Sequence, residues 1–403
     1  MNPALHKFMT SEEEGVFIIG HASAIVRLGG DIILFDPVWG DYKPYGDHWH
    51  FFPKQIDCTP IIPFVDRVII SHEHADHLCE PVLKHFAGYD TPVMIMADRP
   101  RLFDRLRGLG LRVWERAPFQ WHRLTGDVDV FFSTHAFNNI DSLPFLRSNT
   151  SCVSLGSDCF LDQKRIKEIH RAIPPIDVAL VPYAFIHWWP FLQAGISAGE
   201  RSREIARMVE LSTAQANDFV RSFKPGMAIG TGADLYYRAP ADHILNAHLF
   251  APPPKFLERA RAGDYVLLNH EPLGVKRAIF RNSEPEIYPN CQVEPLRFPV
   301  QPPSLSELQK LNTRLGAARE HRIKNFEIIV NDIVIDLEHL HASVRSWPGE
   351  KDYYRFDFDR EQYRQWVTGK ITFEQAIGTR RFQFEREPDT YRPDVFAWFQ
   401  AYL

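Results

Sequence analysis

The segment Ser71-His72-Glu73-His74-Ala75-Asp76-His77-Leu78 places three histidines and Asp76 within six positions. It follows the apolar run Val68-Ile69-Ile70, which reads as a buried strand. A strand ending in His-x-His-x-Asp-His delivers metal ligands to the rim of a sheet. His72 and His74 are two residues apart, so in extended backbone they point the same way. Asp76 and His77 follow once the chain has turned and can face a second ion beside the first. Imidazole and carboxylate together suit zinc, iron or manganese, and the lack of cysteine in the segment argues against a structural zinc knot.

Further residues fit a dinuclear site. His135, in Ser133-Thr134-His135, stands where a third nitrogen ligand for the first ion is expected. Asp158, in Gly156-Ser157-Asp158-Cys159, can bridge both ions through its two oxygens. Asp36 ends a strand before Pro37, where it either accepts a ring proton from a metal-bound histidine or caps the turn. His21, in Gly20-His21-Ala22-Ser23, is either a pocket or a core histidine. Asp76, His21 and His187 are the candidate catalytic groups, and Asp234 or His187 can complete the second ion. The aromatic segments 47–52 and 187–191 offer His48, His50 and Trp188 as pocket walls, with Tyr237 nearby. Arg147 and Arg238 are positioned to hold an anionic group, whereas Arg380-Arg381 reads as a solvated face.

The elements that must position these groups alternate strand and helix. Strands are expected at Val16–Ile19, Ala24–Leu28, Ile32–Phe35, Val93–Met96, Val128–Phe132, Cys152–Leu155, Val178–Val181 and Met227–Ile229. Helices are expected at about Glu80–Ala87, Leu102–Leu109, Ala198–Ser222 and Ser304–His321. Chemistry-competent residues recur just after strand ends, as in a layered α/β enzyme. The Pro-rich stretch 299–303 marks a domain boundary, giving a catalytic unit over 1–298 and an extension over 299–403. The extension opens with the helix and a strand pair over Phe326–Leu337, followed by a tail rich in aromatic and charged residues.

The chain has 403 residues, 45% of them hydrophobic, and a net charge of −5. That supports a sizeable core and disfavours nucleic acid as a partner. No apolar run reaches the ~20 residues of a membrane span, and the N-terminus lacks a signal-peptide core, so a cytoplasmic location is expected. The five cysteines are scattered, as reduced thiols are. No Cys-x-x-Cys or Cys-x-His pair exists, which excludes an iron–sulfur or Rieske centre.

The octet, with His135 and Asp158 in that order, resembles the metallo-β-lactamase superfamily. Within it the chain is similar to the branch that includes the catalytic half of CMP-N-acetylneuraminate hydroxylase. The supporting words are Gly20-His21-Ala22-Ser23, Phe35-Asp36-Pro37, Asp158-Cys159, Lys224-Pro225, Ala376-Ile377-Gly378-Thr379-Arg380-Arg381-Phe382 and Arg386-Glu387-Pro388-Asp389-Thr390-Tyr391. The resemblance implies an αβ/βα sandwich with two metal ions at the sheet edges and a smaller C-terminal α+β extension.

Two departures matter. The last histidine of most superfamily hydrolases falls near Gly232, which has no side chain, and the Rieske domain of the hydroxylase is missing. Iron at the site would permit an oxygenase acting on a small polar or anionic metabolite, with electrons from an external donor. The whole-chain resemblance narrowly favours this reading. Zinc would permit hydrolysis of a phosphodiester, amide or lactone, and a non-catalytic metal-binding scaffold is the third alternative. The extension is expected to act as a lid, a partner surface or a homodimer contact.

Overall fold

The computed structural model describes residues 1–46, 49–136, 141–184, 186–187, 189–237, 243–249, 251–271, 274–282, 297, 301–345, 349, 351–388, 390 and 392–403. Two large sheets carry the architecture. The first runs in the order Gly274–Phe280, Tyr265–Glu271, Glu14–Gly20, Ser23–Leu28, Asp31–Phe35, Arg67–Ile69, Val93–Met96, Val113–Arg116. Its N-terminal strands pair antiparallel through tight turns, and from Asp31–Phe35 onward the pairing is parallel. Parallel neighbours need a crossover, and the helix Pro100–Gly108 provides the one between Val93–Met96 and Val113–Arg116. The second sheet runs Glu258–Arg259, Met227–Thr231, Val178–Pro182, Cys152–Ser154, Ser142–Arg147, Asp129–Thr134, Trp121–Arg123.

The period-2 alternation of each strand assigns its two faces. Val16, Ile18, Val26, Ile33 and Ile69 of the first sheet meet Val130, Phe132, Val153, Val178 and Ile229 of the second in one buried layer. The intervening residues Phe17, Ile19, Ile25 and Leu34 face outward onto Leu5, Phe8, Leu102 and Leu106 of the flanking helices. On the far side Phe131, Phe145, Ala179 and Val181 pack against Ile166, Ile169, Ile205 and Phe223. The last two belong to the long helix Ala198–Phe223, which starts with a Ser197/Glu200 capping box. The result is the αβ/βα sandwich expected from the resemblance, with central strands such as Ser23–Leu28, Asp31–Phe35, Val93–Met96 and Val178–Pro182 buried on both faces and therefore largely apolar.

A third sheet, in the order His341–Val344, Ile333–Asp336, Phe326–Val330, Asp352–Phe358, Phe382–Glu387, forms the C-terminal α+β unit. The ring of Phe356 lies 5.1–5.8 Å from Phe373, Phe384, Phe382 and Phe399, so the tail's aromatic residues form a core. The tail also contains the helices Arg360–Val367, Phe373–Gly378 and Pro393–Tyr402. The unit is joined to the sandwich by backbone hydrogen bonds, Ala194 N to Phe384 O at 2.6 Å and Phe384 N to Leu192 O at 2.9 Å. The boundary expected at 299 lies outside the described residues.

Candidate metal centre

Asp36 is fully buried at the end of Asp31–Phe35, with its backbone in the left-handed region at φ 40°. Its Oδ1 accepts the Ser71 N–H at 2.7 Å, and its Oδ2 accepts the Ser71 hydroxyl at 2.6 Å and His77 Nδ1 at 2.7 Å. These bonds decide two tautomers. The hydroxyl proton of Ser71 goes to Asp36, so Ser71 Oγ accepts from His72 Nδ1 at 2.9 Å. His77 Nδ1 donates to Asp36. In the neutral rings Nε2 is then the lone-pair nitrogen and is turned into the site, the arrangement found in metal-bound histidines. His77 Nε2 is buried and has no hydrogen-bond partner among the described residues. His72 Nε2 stands 2.8 Å from His74 Nδ1. A buried ring nitrogen without a hydrogen-bond partner, beside two convergent imidazoles, is costly as it stands and well suited to a cation.

Three sets of possible ligand atoms, each within 4.8 Å of one another, occur among the described residues: His72/His74/Asp141, His72/His77/Asp158 and His21/Asp76/His77. Asp158 Oδ2 lies 3.7 Å from His72 Nε2, 3.8 Å from His74 Nδ1 and 3.7 Å from His77 Nε2, between the two ends of the cluster. Its turn lies close against Val178–Pro182, where any Cβ at Gly156 would overlap the carbonyl of Leu180. His77 and Asp76 occupy a turn closed by His77 N and Leu78 N, both donating to His74 O at 3.0 and 2.9 Å. Asp76 Oδ2 is 3.2 Å from His21 Nε2 and 3.5 Å from His77 Nε2.

His21 belongs to the set with Asp76 and His77. The backbone N–H of Gly232, where a last histidine was expected, donates to His21 O at 3.1 Å. Asp234 Oδ2 accepts His21 N–H at 3.1 Å. These contacts hold His21 at φ 42°, with its ring over Asp76. Asp234 thus supports the His21 backbone, and neither it nor His187 belongs to the three sets. His135 follows the strand Asp129–Thr134 and belongs to none of the three sets; burial lowers its imidazole against the charges of Asp141 and Asp158. Asp141, which the motif reading passed over, is the carboxylate 3.8 Å from His72 Nε2.

Burial drives His72 well below its ordinary value, and the charges of His77 and His74 add to the effect. Burial also opposes charge on His74, but Asp158, Glu374, Asp141 and Asp76 outweigh it and hold the ring near 10. His77 is raised to about 9, burial being overcome by Asp76, Asp158 and Asp36. Asp76 is held well below the usual carboxylate range by His77 and His21 against the cost of burial. The cluster therefore takes up protons where a cation would otherwise balance its carboxylates.

A cavity of about 450 Å³ opens from these groups. His21, His74, Asp76 and Asp158 form one end, and most of the remaining wall is apolar, including Leu143, Ile186, Met208, Leu211 and Phe219. Tyr237 and His187 line it. Burial lowers His187 to about 3, and its Nδ1 accepts Trp189 N–H at 3.1 Å, so this ring is neutral at physiological pH. His50 is stacked on Tyr236, centroids 5.1 Å apart, away from the cavity wall. His48, Trp188 and Arg238 lie outside the described residues. Arg147 pairs with Asp129 at 3.0 Å on the second sheet.

The expectation for Arg380-Arg381 is corrected. Both residues are buried, at 3% and 4% exposure. Arg380 lines the cavity, donates to His187 O at 2.9 Å and lies over Tyr237, while Arg381 pairs with Asp359 at 3.1 Å. A double arginine in a polar-looking tail gives no sign of burial until its helix is docked. Tyr45 and Glu374, also on the cavity wall, had no local signal either.

No family model matches the chain. A stretch of 63 residues is 38% identical to an uncharacterised protein of Mycobacterium tuberculosis, covering 15% of this chain and 16% of that one. Another of 87 residues is 30% identical to N-acyl-phosphatidylethanolamine-hydrolyzing phospholipase D 1 of Caenorhabditis elegans, covering 20% and 24%. The chain therefore spans only a small part of the curated relatives it matches. Among solved structures, it is similar to CmlA, a diiron β-hydroxylase from Streptomyces venezuelae, at 18% identity and TM-score 0.42, over 55% of this chain and 45% of that one. It is also similar to the metallo-β-lactamase fold protein YhfI from Bacillus subtilis, at 14% identity and TM-score 0.39, over 63% and 99%.

Proposed function

We propose that this chain is a dinuclear metal-dependent hydrolase of a small molecule with an apolar body and a phosphodiester, ester or amide group. The observation that carries the reading is the pair of Nε2 atoms of His72 and His77, both turned into the site by Asp36 and Ser71 and converging with Asp158. One ion would be held by His72 and His74 with Asp141 or His135, the other by His21, Asp76 and His77, with Asp158 between them. Two cations held there would supply Lewis acidity and a water deprotonated near neutral pH. Zinc, iron and manganese all suit the donors.

The chain's own residues do the rest. The apolar wall orients the substrate and excludes water from the reacting end. Arg380 offers a fixed positive charge on that wall, and neutral His187 can donate a hydrogen bond but does not act as a base at neutral pH. Local likeness to a phospholipase supports hydrolysis. The second reading, an iron-dependent oxygenase with an external electron donor, is favoured by the absence of a side chain at Gly232.

Metal analysis of protein purified without added metal, with assays on aryl phosphodiesters and esters and for O₂ uptake, separates the two. Zinc or manganese with turnover of the aryl substrates is expected. Iron with reductant-dependent O₂ uptake and no hydrolysis would replace the hydrolase by the oxygenase, and neither metal nor turnover would overturn both.

A further inference from the structure

A contact chain links the C-terminal unit to the metal centre. The helix Phe373–Gly378 presents Glu374, whose Oε1 accepts the Tyr45 hydroxyl at 2.7 Å. The same hydroxyl is 3.3 Å from Asp76 Oδ1. Asp76 is thereby fixed about its own axis: Oδ1 faces Tyr45 while Oδ2 faces His21 and His77. Tyr45 has little freedom to leave this position. Its ring stacks on Trp49 at 4.6 Å, which stacks on Tyr237 at 5.7 Å. On its other side the backbone of Gly378 sits so close that any Cβ would overlap the Tyr45 ring. The hydroxyl has one proton, which it shares between the two carboxylates as a three-centre bond, shorter to Glu374 Oε1 and longer to Asp76 Oδ1.

We propose that Glu374 is a positioning residue of the metal centre. By anchoring the Tyr45 hydroxyl it sets the Asp76 carboxylate, so the ion position formed by His21, Asp76 and His77 depends on the C-terminal unit being docked. The inference rests on the dinuclear reading above. It makes the unit a part of the site, with a residue 298 positions after Asp76 in the chain completing its alignment. Carboxylate ligands are held by hydrogen bonds from residues behind them, and removing such partners typically weakens metal affinity 10–100-fold.

The test is a cobalt(II) titration of metal-free full-length protein, followed by calorimetry and by the visible spectrum. His21→Ala marks which of two binding steps belongs to the His21/Asp76/His77 position. Glu374→Ala and Tyr45→Phe are expected to weaken that step about 10–100-fold and shift its cobalt band, leaving the other step within about twofold. Glu374→Gln keeps an acceptor for Tyr45 and is expected to stay within about threefold of the parent. Glu307→Gln, which breaks the Arg364 ion pair on the extension's outer helices at 2.9 Å, is expected to change neither step.

Equal weakening of both steps, no weakening of either, or a Glu374→Gln loss as large as that of Glu374→Ala overturns the inference. A parent chain that takes fewer than two ions overturns the dinuclear reading and this inference with it. Two ions in the parent with unaffected variants overturns the inference alone.

Discussion

Asp36 shows how much one carboxylate decides. It touches none of the three ligand sets as a member, yet it fixes the tautomers of two of their imidazoles. Asp36→Asn exchanges an acceptor for an amide and leaves Ser71 and His77 competing for one oxygen. Metal affinity in a chelator competition is expected to fall about 10–100-fold. The raised histidines give a second prediction. His74 near 10 and His77 near 9 lie above the ordinary value of about 6.5. Protonation of these rings stabilises the metal-free fold fully below about pH 6.5, and that contribution is lost as pH rises through 9 to 10. The melting temperature of metal-free protein is therefore expected to fall across this window. Metal-loaded protein, whose rings hold a cation in place of the proton, is expected to stay nearly level. A flat profile for the metal-free form would remove the electrostatic account of the cluster.

At the scale of elements, strand ends carry the site and short-range spacing carries the strands. Val93–Met96 has the bounds its apolar run implies, and Ala198–Phe223 extends the expected helix by one residue. The octet was legible for the same reason: its ligands are local, and a strand followed by a turn is enough to fan them out. The strand Trp49–Phe51, paired with Leu235–Tyr237 from far along the chain, is not among the expected strands. Its partner could not be read from spacing, and aromatic residues mark core and pocket alike.

Two further predictions belong at this scale. Ser197→Ala removes the cap of the long helix on the cavity wall and is expected to cost about 1 kcal/mol in chemical denaturation. Gly156→Ala forces a methyl group into the Leu180 carbonyl. It is expected to cost about 1–3 kcal/mol and to displace Asp158, lowering metal affinity as well as stability. A substitution that is neutral in both assays would show that the close approach of these strands is dispensable.

For the molecule as a whole, the sandwich's outer core and the C-terminal core are one continuous apolar cluster, running from Phe145 and Ile205 through Phe191 and Tyr237 to Phe356 and Phe399. The backbone bonds at Phe384 bridge the same junction. Cores joined over that much apolar surface unfold together. Full-length protein is expected to show a single calorimetric transition, with Phe356→Ala lowering all of it by about 3–5 kcal/mol. Two separable transitions, only one of them shifted by this substitution, would show two independent units.

Periodicity and spacing carried the strands and the heart of the cluster, and the family resemblance carried the sandwich. Strand periodicity and a His-x-His-x-Asp-His run are encoded over a few residues, and their geometry follows from the pleat and one turn. Tertiary structure alone decided that Asp141, Tyr45 and Glu374 join the cluster, that His21 stands where Gly232 has no side chain, and that Arg380 is buried in the cavity. Those placements depend on docking segments tens to hundreds of residues apart, and a carboxylate or arginine in a polar stretch looks the same in sequence whether solvent or a metal centre awaits it.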